Sequence, residues 1–496
     1  TEEAWLRSSA APILLLKANK EAAQHIAKES IAPGLDTLGL MLPNAPLLEL
    51  ISDAFGKALV CTSGNISGAP IIYKDEEALE QLSAIADIIV THNREIYLPQ
   101  DDSVLKICPG SAQVIILRRS RGLAPSLFND AIRPGQSILA TGALMKSSFT
   151  LSQQQYIYCS QYLGSTESYE AQQMYRHTCS HLLNTMKAAP ELILCDAHPQ
   201  YFSTQFAEEA AAHFHVNRKA IPHHKAHFAA VLAENNLRNH PGPVLGVIWD
   251  GTGWGEDQHS WGGEFFRYEN NQMQRCAQFH YFPVLLGDKM AREPRLSALA
   301  ICHELPGMEE LLKHKFNEAE WPLYTGLLQK GGSLQTSSAG RLFDAAAALL
   351  GLMDKQSYEG EAALLLETAA TRYRDESGGA PCESYFTNND LHHALPVKTI
   401  FAGMISDILN KQTIGFIARR FHQSLVHAVR MVAQHNGCRH LAFSGGVFQN
   451  SLLADLLQQQ LGKEHRLYFH QQLSPNDENI SLGQLVYHCW KIDEAG

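Results

Sequence analysis

The sequence runs to 496 residues, 45% of them hydrophobic and 18% charged, with a formal net charge of −11 at pH 7. This length exceeds one ordinary core and predicts two or three soluble globular domains. The acidic balance argues against a general nucleic-acid or anionic-membrane binder, because no strongly basic field surrounds the chain.

Residues 1–125 alternate strand-like apolar runs, Pro12–Lys17 and Ile88–Thr91, with helical stretches such as Pro46–Phe55, the pattern of a small α/β unit. Its notable string is Cys61-Thr62-Ser63-Gly64-Asn65-Ile66-Ser67-Gly68-Ala69-Pro70, where hydroxyls, an amide and glycines in one turn suit a phosphate or nucleotide. Asp101, Asp102 and the run Arg118-Arg119-Ser120-Arg121 add acid and base. An ordinary loop accounts for any one of these alone. A polar stretch at 128–135 reads as a linker. From Ser137 onward, short apolar runs (Ile138–Thr141, Leu192–Asp196, Val244–Asp250, Leu441–Ser444) stop at or beside Gly, Asp or Ser, with long helical segments between them. Strands that end in turns before helices predict a nucleotide-binding α/β architecture. No apolar run reaches the ~18 residues of a transmembrane helix. The start, Thr1-Glu2-Glu3-Ala4-Trp5, does not read as a signal peptide. Ten cysteines without a C-x-x-C pair suggest neither a zinc finger nor a disulfide framework, and fit a reducing cytoplasm.

The sharpest chemical signal is Pro222-His223-His224-Lys225-Ala226-His227. His223 and His227 are four apart, so a helix sets both imidazoles on one face, within reach of one metal, while His224 and Lys225 project elsewhere. A surface His cluster in a chain with 24 histidines is the competing reading. Asp250 ends an apolar run and opens Asp250-Gly251-Thr252-Gly253-Trp254-Gly255, where a strand end would hold the carboxylate rigidly and the glycines would let backbone N–H groups approach a phosphate. A plain hairpin turn is the alternative. A second Gly loop, Ser444-Gly445-Gly446-Val447-Phe448-Gln449-Asn450, follows a strand and opens a helix, a position that attracts phosphate. Asp477 is a candidate further ligand, although an acid in this setting is more often an N-cap. Ser337–Asp344 and Tyr358–Ala363 offer small residues and acids to a ribose or base, with helix capping by Ser337 or Ser338 as the simpler reading.

Together these strings resemble the HypF family of hydrogenase maturation carbamoyltransferases. Leu40–Pro43, Thr62–Pro70, Asp101–Val104 and Arg118–Pro125 are similar to its YrdC-like domain. His223–His227, Asp250–Gly255, Trp261–Glu264, Arg292–Arg295, Ser337–Asp344, Tyr358–Ala363, Ser444–Asn450 and Asn476–Gln484 resemble its TsaD/Kae-like domain, and Cys195–Pro199 and Tyr201–Thr204 also fit. The resemblance implies an α/β fold: a partial YrdC-like α/β domain at 1–127, a linker at 128–135, and an actin/sugar-kinase-like two-lobed domain at 136–496. It implies a divalent metal on His223, His227, Asp250 and Asp477, a catalytic centre at the same residues, and nucleotide contacts at Gly251, Thr252, Gly253, Asp344, Gly360, Gly445, Gly446 and Asn450. In the YrdC-like site it implies Thr62, Ser63, Asn65, Ser67, Arg119 and Arg121. The implied activity turns carbamoyl phosphate and ATP into carbamoyl adenylate and passes the carbamoyl group to the C-terminal cysteine of HypE, on the route to cyanide ligands. Two imidazoles with two carboxylates suit iron, zinc or manganese, with magnesium accompanying ATP.

Several strings depart from the family. Its upstream acylphosphatase and C-x-x-C segments, and the basic string early in the YrdC-like domain, have no counterpart here, and Glu478-Asn479 stands where the family has Gly-Gly. The rival readings are tRNA threonylcarbamoyl transfer, O-carbamoyl transfer and a non-catalytic nucleotide-binding scaffold.

Overall fold

A computed structural model describes the whole chain save residues 20–25, 67–68, 129–131, 133, 333, 380–381, 388–393 and 494–496. Among the described residues the strands assemble into three sheets. The first combines β1 (Ile13–Lys17), β2 (Thr37–Leu40), β3 (Val104–Ile107) and β4 (Val114–Arg118) in the order β2-β1-β3-β4. The predicted helix forms as α1 (Pro46–Phe55), with Pro at its first turn and Gly56 ending it at φ 68°. The expected strand at Ile88–Thr91 does not form, and Ile88 and Val90 stand 80% and 73% exposed. A strand persists where its backbone groups find a ladder partner, and among the described residues none runs beside this segment.

The second sheet contains β5 (Ser126–Leu127), β6 (Ile138–Ala140), β7 (Thr150–Gln153), β8 (Tyr156–Cys159), β9 (Leu192–Asp196) and β10 (Asn217–Ile221), ordered β10-β9-β6-β7-β8-β5. The third is built on β11 (Val244–Trp254), β12 (Ser260–Glu269) and β13 (Gln272–Phe279), with β17 (His440–Ser444) and β18 (Arg466–Tyr468) on the far side of β11. Both sheets share one plan. Three antiparallel strands form a meander, and two further strands run parallel to the first of them, giving β10-β9-β6-β7-β8 and β18-β17-β11-β12-β13. This duplicated lobe is the expected actin- and sugar-kinase-like α/β architecture. Short edge strands β14 (Phe282–Pro283), β15 (Gln335–Thr336) and β16 (Ala394–Leu395) extend the third sheet.

Two central helices lie between the lobes. The first, α2 (His223–Glu234), is buried from His223 to Ala233, as befits a helix enclosed on all sides. Further helices α3 (Ala339–Leu349) and α4 (Ser451–Leu461) flank the third sheet, and α5 (Ile480–Cys489) packs on α2. Gly483 makes that packing possible, since a Cβ there would lie 1.9 Å from the Ala226 carbonyl oxygen. The N-terminal sheet docks on the lobes through buried charge. Lys106 Nζ meets Glu367 at 3.2 Å, the Gly110 and Ser111 N–H groups donate to Asp455 at 2.9 and 2.8 Å, and Arg119 Nε lies 3.3 Å from Glu478.

Candidate metal centre and nucleotide cleft

Pro222 ends the extended stretch of β10 and turns the chain into α2, so His223 occupies the first helical position and His227 the next turn. Both rings are fully buried. β11 brings Asp250 from the other lobe, and its parallel pairing with β17 sets Ile248 beside Ser444. Gly446 just beyond then donates its N–H to Asp250 Oδ1 at 2.9 Å. Asp477 opens a 3₁₀ turn, Asp477–Asn479, capped by the Asn476 side chain, that leads directly into α5.

One ligand atom from each of His223, His227, Asp250 and Asp477 falls within 4.8 Å of every other. His223 Nε2 is 3.6 Å from Asp250 and 3.8 Å from Asp477; His227 Nε2 is 3.8 and 3.6 Å from the same two carboxylates. These gaps are too long for hydrogen bonds. They approach the ~3.4 Å separation of neighbouring ligands that sit about 2.1 Å from one tetrahedral ion. The other ring nitrogens are committed. His223 Nδ1 donates to Asp196 Oδ2 at 2.7 Å, and His227 Nδ1 lies 3.0 Å from Asn479 Oδ1, whose amide nitrogen in turn donates to the Ser474 carbonyl. A carboxylate and an amide oxygen accept, so each Nδ1 carries a proton and each Nε2 faces the quartet, where an ion would take the place of its proton. Both Nε2 atoms are buried without a hydrogen-bond partner. The donor set therefore fits a divalent cation.

Electrostatics agree. For Asp250, burial favours the neutral acid, but His223 and His227 outweigh it and hold the carboxyl well below the usual range. Burial, and then the Asp250 charge, push Asp477 up. Burial opposes the charged form of His223, yet Asp196 and the site carboxylates raise it well above an ordinary histidine. The quartet draws in positive charge, which an ion supplies in place of protons. His224 and Lys225 project away as expected. His224, driven well below the usual range first by burial, faces Glu264 and Trp261, and Lys225 pairs with Glu256 and Asp493.

The glycine loops differ from their sequence reading. The strand expected to stop at Asp250 continues as β11 to Trp254, with a shifted register between Trp249 and Gly253, and turns into β12 as a hairpin. The chain there needs small residues: a Cβ on Gly253 would meet His223 at 2.6 Å, and one on Gly262 would meet the Asp250 carbonyl at 2.6 Å. Gly251 is open, with only Arg341 reaching 4.0 Å from its Cβ position, and Thr252 is exposed, its hydroxyl 2.9 Å from that of Ser260. The second loop is not free to receive a phosphate at its helix end. At the start of α4 the Ser451 and Leu452 N–H groups donate to Glu367, and Leu453 N–H to Asn450 Oδ1. The other side of the Asn450 amide meets His422. Gly445 adopts φ 103°, where a Cβ would strike the Trp249 carbonyl at 2.1 Å, and the Gly446 N–H is spent on Asp250. Gly445 and Gly446 thus buttress Asp250, while Asn450 caps α4 and meets His422. Ser338 caps α3 and donates to the Gly251 carbonyl at 2.6 Å. Asp344 is buried beside Arg341, and burial pushes its carboxyl up to about 6. Gly360, φ 81°, begins the next helix with open space around it.

In the N-terminal unit, Thr62 and Ser63 are exposed; the Ser63 hydroxyl donates to Asn65, whose amide bonds the Ile66 and Ala69 carbonyls. Ser67 lies outside the described residues. Arg121 is tied to Asp102 and to the Ala10 and Ala11 carbonyls. Arg119 departs most from expectation. It is fully buried at the seam, against Glu478, Ser126 and the Ser160 carbonyl, and does not face an open substrate site. Sequence reasoning also passed over Asp196 and Asn479 as ring-holding partners. For Asp196 a signal existed, because it ends an apolar run just as Asp250 does.

A family model described as "Carbamoyltransferase, Kae1-like Domain, second subdomain" matches residues 246–484, and one described as "HypF Kae1-like domain" matches residues 133–234. A third, described as "Telomere recombination", matches residues 1–120. The Carbamoyltransferase HypF of Synechocystis sp. is 34% identical over 503 residues, across 97% of this chain and 63% of that protein. A Carbamoyltransferase HypF homolog of Cupriavidus necator is 31% identical over 316 residues, across 61% of this chain and 79% of that protein. The chain belongs to the HypF carbamoyltransferase family. A crystal structure of full-length HypF in the phosphate- and nucleotide-bound form matches with TM-score 0.87 at 29% identity, covering 100% of this chain and 76% of that one. HypF of T. kodakarensis matches with TM-score 0.88 at 28% identity, covering 98% and 64%. The chain spans less than two thirds, 63%, of the length of the Synechocystis HypF. All four residues of the quartet fall inside the two segments that match the HypF carbamoyltransferase models, His223 and His227 in one, Asp250 and Asp477 in the other.

Proposed function

We propose that this chain transfers a carbamoyl group from carbamoyl adenylate to the C-terminal cysteine thiol of HypE, and that its N-terminal unit takes part in making that adenylate from carbamoyl phosphate and ATP. The observation that carries the reading is the His223–His227–Asp250–Asp477 quartet, buried save for a partly exposed Asp477 and with two ring nitrogens left without partners, at the junction of two lobes in a member of the HypF family.

His223, His227, Asp250 and Asp477 would hold a divalent ion of the iron, zinc or manganese kind, which would supply Lewis-acid stabilisation of charge developing on a reacting oxygen. The chain's own groups do the rest. Asp196 and Asn479 fix the two rings, and the Gly446 N–H fixes Asp250, so the ligands are oriented before substrate arrives. The adenylate's nucleotide lies along Gly251, Thr252 and Gly253, with Asp344 and Gly360 bordering it from the second lobe, and magnesium accompanies ATP. In the N-terminal unit, the exposed turn with Thr62, Ser63 and Asn65 contacts substrate. The acceptor sulfur attacks the carbamoyl carbon as a thiolate, its proton having passed to solvent; a C–S bond forms, the C–O bond to the phosphate breaks, and AMP leaves with the electron pair. No thiol of this chain is required. Cys195, next to Asp196, is buried, and burial pushes its thiol up, away from the reactive thiolate.

Mass spectrometry of HypE incubated with this chain and synthetic carbamoyl adenylate tests the transfer directly. The expected result is one added carbamoyl group on the terminal cysteine, absent when that cysteine is replaced by serine. Unmodified HypE would overturn the reading. Repeating the incubation with ATP and carbamoyl phosphate tests adenylate synthesis separately.

A further inference from the structure

The turn that delivers Asp477 is not held by its own lobes alone. Strand β4 of the N-terminal sheet runs out beneath it. The Leu117 carbonyl accepts from the Asn476 side chain at 3.1 Å and from Gln449 at 3.4 Å. The Arg119 N–H donates to Glu478 Oε2 at 3.0 Å, and the Arg119 guanidinium faces Glu478 Oε1 at 3.3 Å. Both side chains of this pair are 0% exposed. The guanidinium is further enclosed by the Ser126 hydroxyl and the Ser160 carbonyl, and the Glu478 carbonyl accepts from the Ser148 hydroxyl at 2.7 Å. Glu478 sits between two residues of the site: Asp477, a member of the quartet, and Asn479, which holds His227.

We infer that the Arg119–Glu478 pair is a positioning strut through which the N-terminal unit sets Asp477 and Asn479 in place, so that metal affinity in the second lobe depends on the first unit. The buried guanidinium and carboxyl hold each other in one geometry. Removing one leaves the other uncompensated, and the turn must move to find a partner or water. The Asp477 carboxylate and the Asn479 amide are fixed to the same three-residue turn, so the movement reaches two corners of the quartet at once. Arg119, read from sequence as a substrate contact, acts instead through Glu478.

This inference rests on the metal reading, and the experiment separates the two. Full-length chain is stripped with chelator and titrated with Zn(II) in competition with a chromogenic chelator; separately it is loaded with Co(II) and its visible absorption recorded. Glu478→Ala is expected to weaken Zn(II) binding by ~10–100-fold, the range for loss of a group that orients a ligand, and to alter the Co(II) band. Glu478→Gln keeps an acceptor for the Arg119 N–H and is expected to restore part of the affinity. Lys106→Met breaks a second buried pair across the same seam, remote in sequence from the quartet, and serves as control: a lowered melting temperature with unchanged Zn(II) affinity and an unchanged Co(II) band. Glu478 variants that fold and bind Zn(II) as tightly as native, with the native Co(II) band, overturn the strut and leave the metal centre standing. Equal weakening by Lys106→Met overturns it too, because seam loosening alone would then suffice. Native chain that binds no Zn(II) overturns the strut together with the metal reading beneath it.

Discussion

Replacing Gly483 by alanine separates two physical arguments by sign. Gly483 lies inside α5, where helix propensity alone predicts a gain of about 1 kcal/mol for Gly→Ala. The structure predicts a loss. The new Cβ would sit 1.9 Å from the Ala226 carbonyl oxygen and 2.5 Å from its carbonyl carbon, both backbone atoms that no rotamer change can move aside. Ordinary contact begins at 3.4 Å, so α5 and α2 must separate by more than an ångström against a close-packed interior. Overpacking of this kind costs ~3 kcal/mol at the upper end of its usual range, which leaves about 2 kcal/mol of net destabilisation after the propensity gain. For a lobe of this size that lowers the melting temperature by ~4–8 °C. The same movement draws Asp477, just ahead of α5, away from His223 and His227 on α2, so bound metal should protect the variant less than the native chain. Scanning calorimetry with and without Zn(II) reads both effects. A variant as stable as native, or more stable, would refute the packing argument.

Asp196→Asn should leave the fold intact and weaken Zn(II) binding by ~10–100-fold, because His223 Nδ1 loses the carboxylate that holds its ring; unchanged affinity in chelator competition would remove Asp196 from the site. Asp344 carries a pH signature. Its carboxyl is pushed up to about 6 by burial from an ordinary value of 3.8, so the folded state favours the protonated form. Its contribution is fully present below the unfolded value and is lost as pH rises through about 6. Asp344→Asn should therefore raise the melting temperature at pH 7.5, with the gain fading by pH 4; a uniform loss at both pH values would contradict this assignment.

The candidate metal quartet was largely legible in the sequence because its geometry is local. Helical spacing puts His223 and His227 on one face whatever surrounds them, and an apolar run ending in Asp250 marks a strand that fixes its carboxylate. Asp477 was harder. Its pairing with the quartet depends on α5 packing against α2, which arises over a sequence separation of some 250 residues and hinges on a single glycine. The Gly-rich string after Ser444 is held by residues far away in the chain. It looks like an anion cradle, but Glu367 on a distant helix already fills the end of α4, and no local pattern announces that. Ile88–Thr91 shows the converse, an apolar run with strand composition that forms none among the described residues. The duplicated lobes left no repeat in the sequence, since the β-meander plan constrains alternation and strand order while leaving side-chain identity free.

Elemental analysis of the purified chain beside His227→Ala tests the central claim most directly. The account predicts close to one equivalent of a divalent transition metal in the native chain and a small fraction of that in the variant, with both melting as folded proteins. Equal metal content in the two would contradict it.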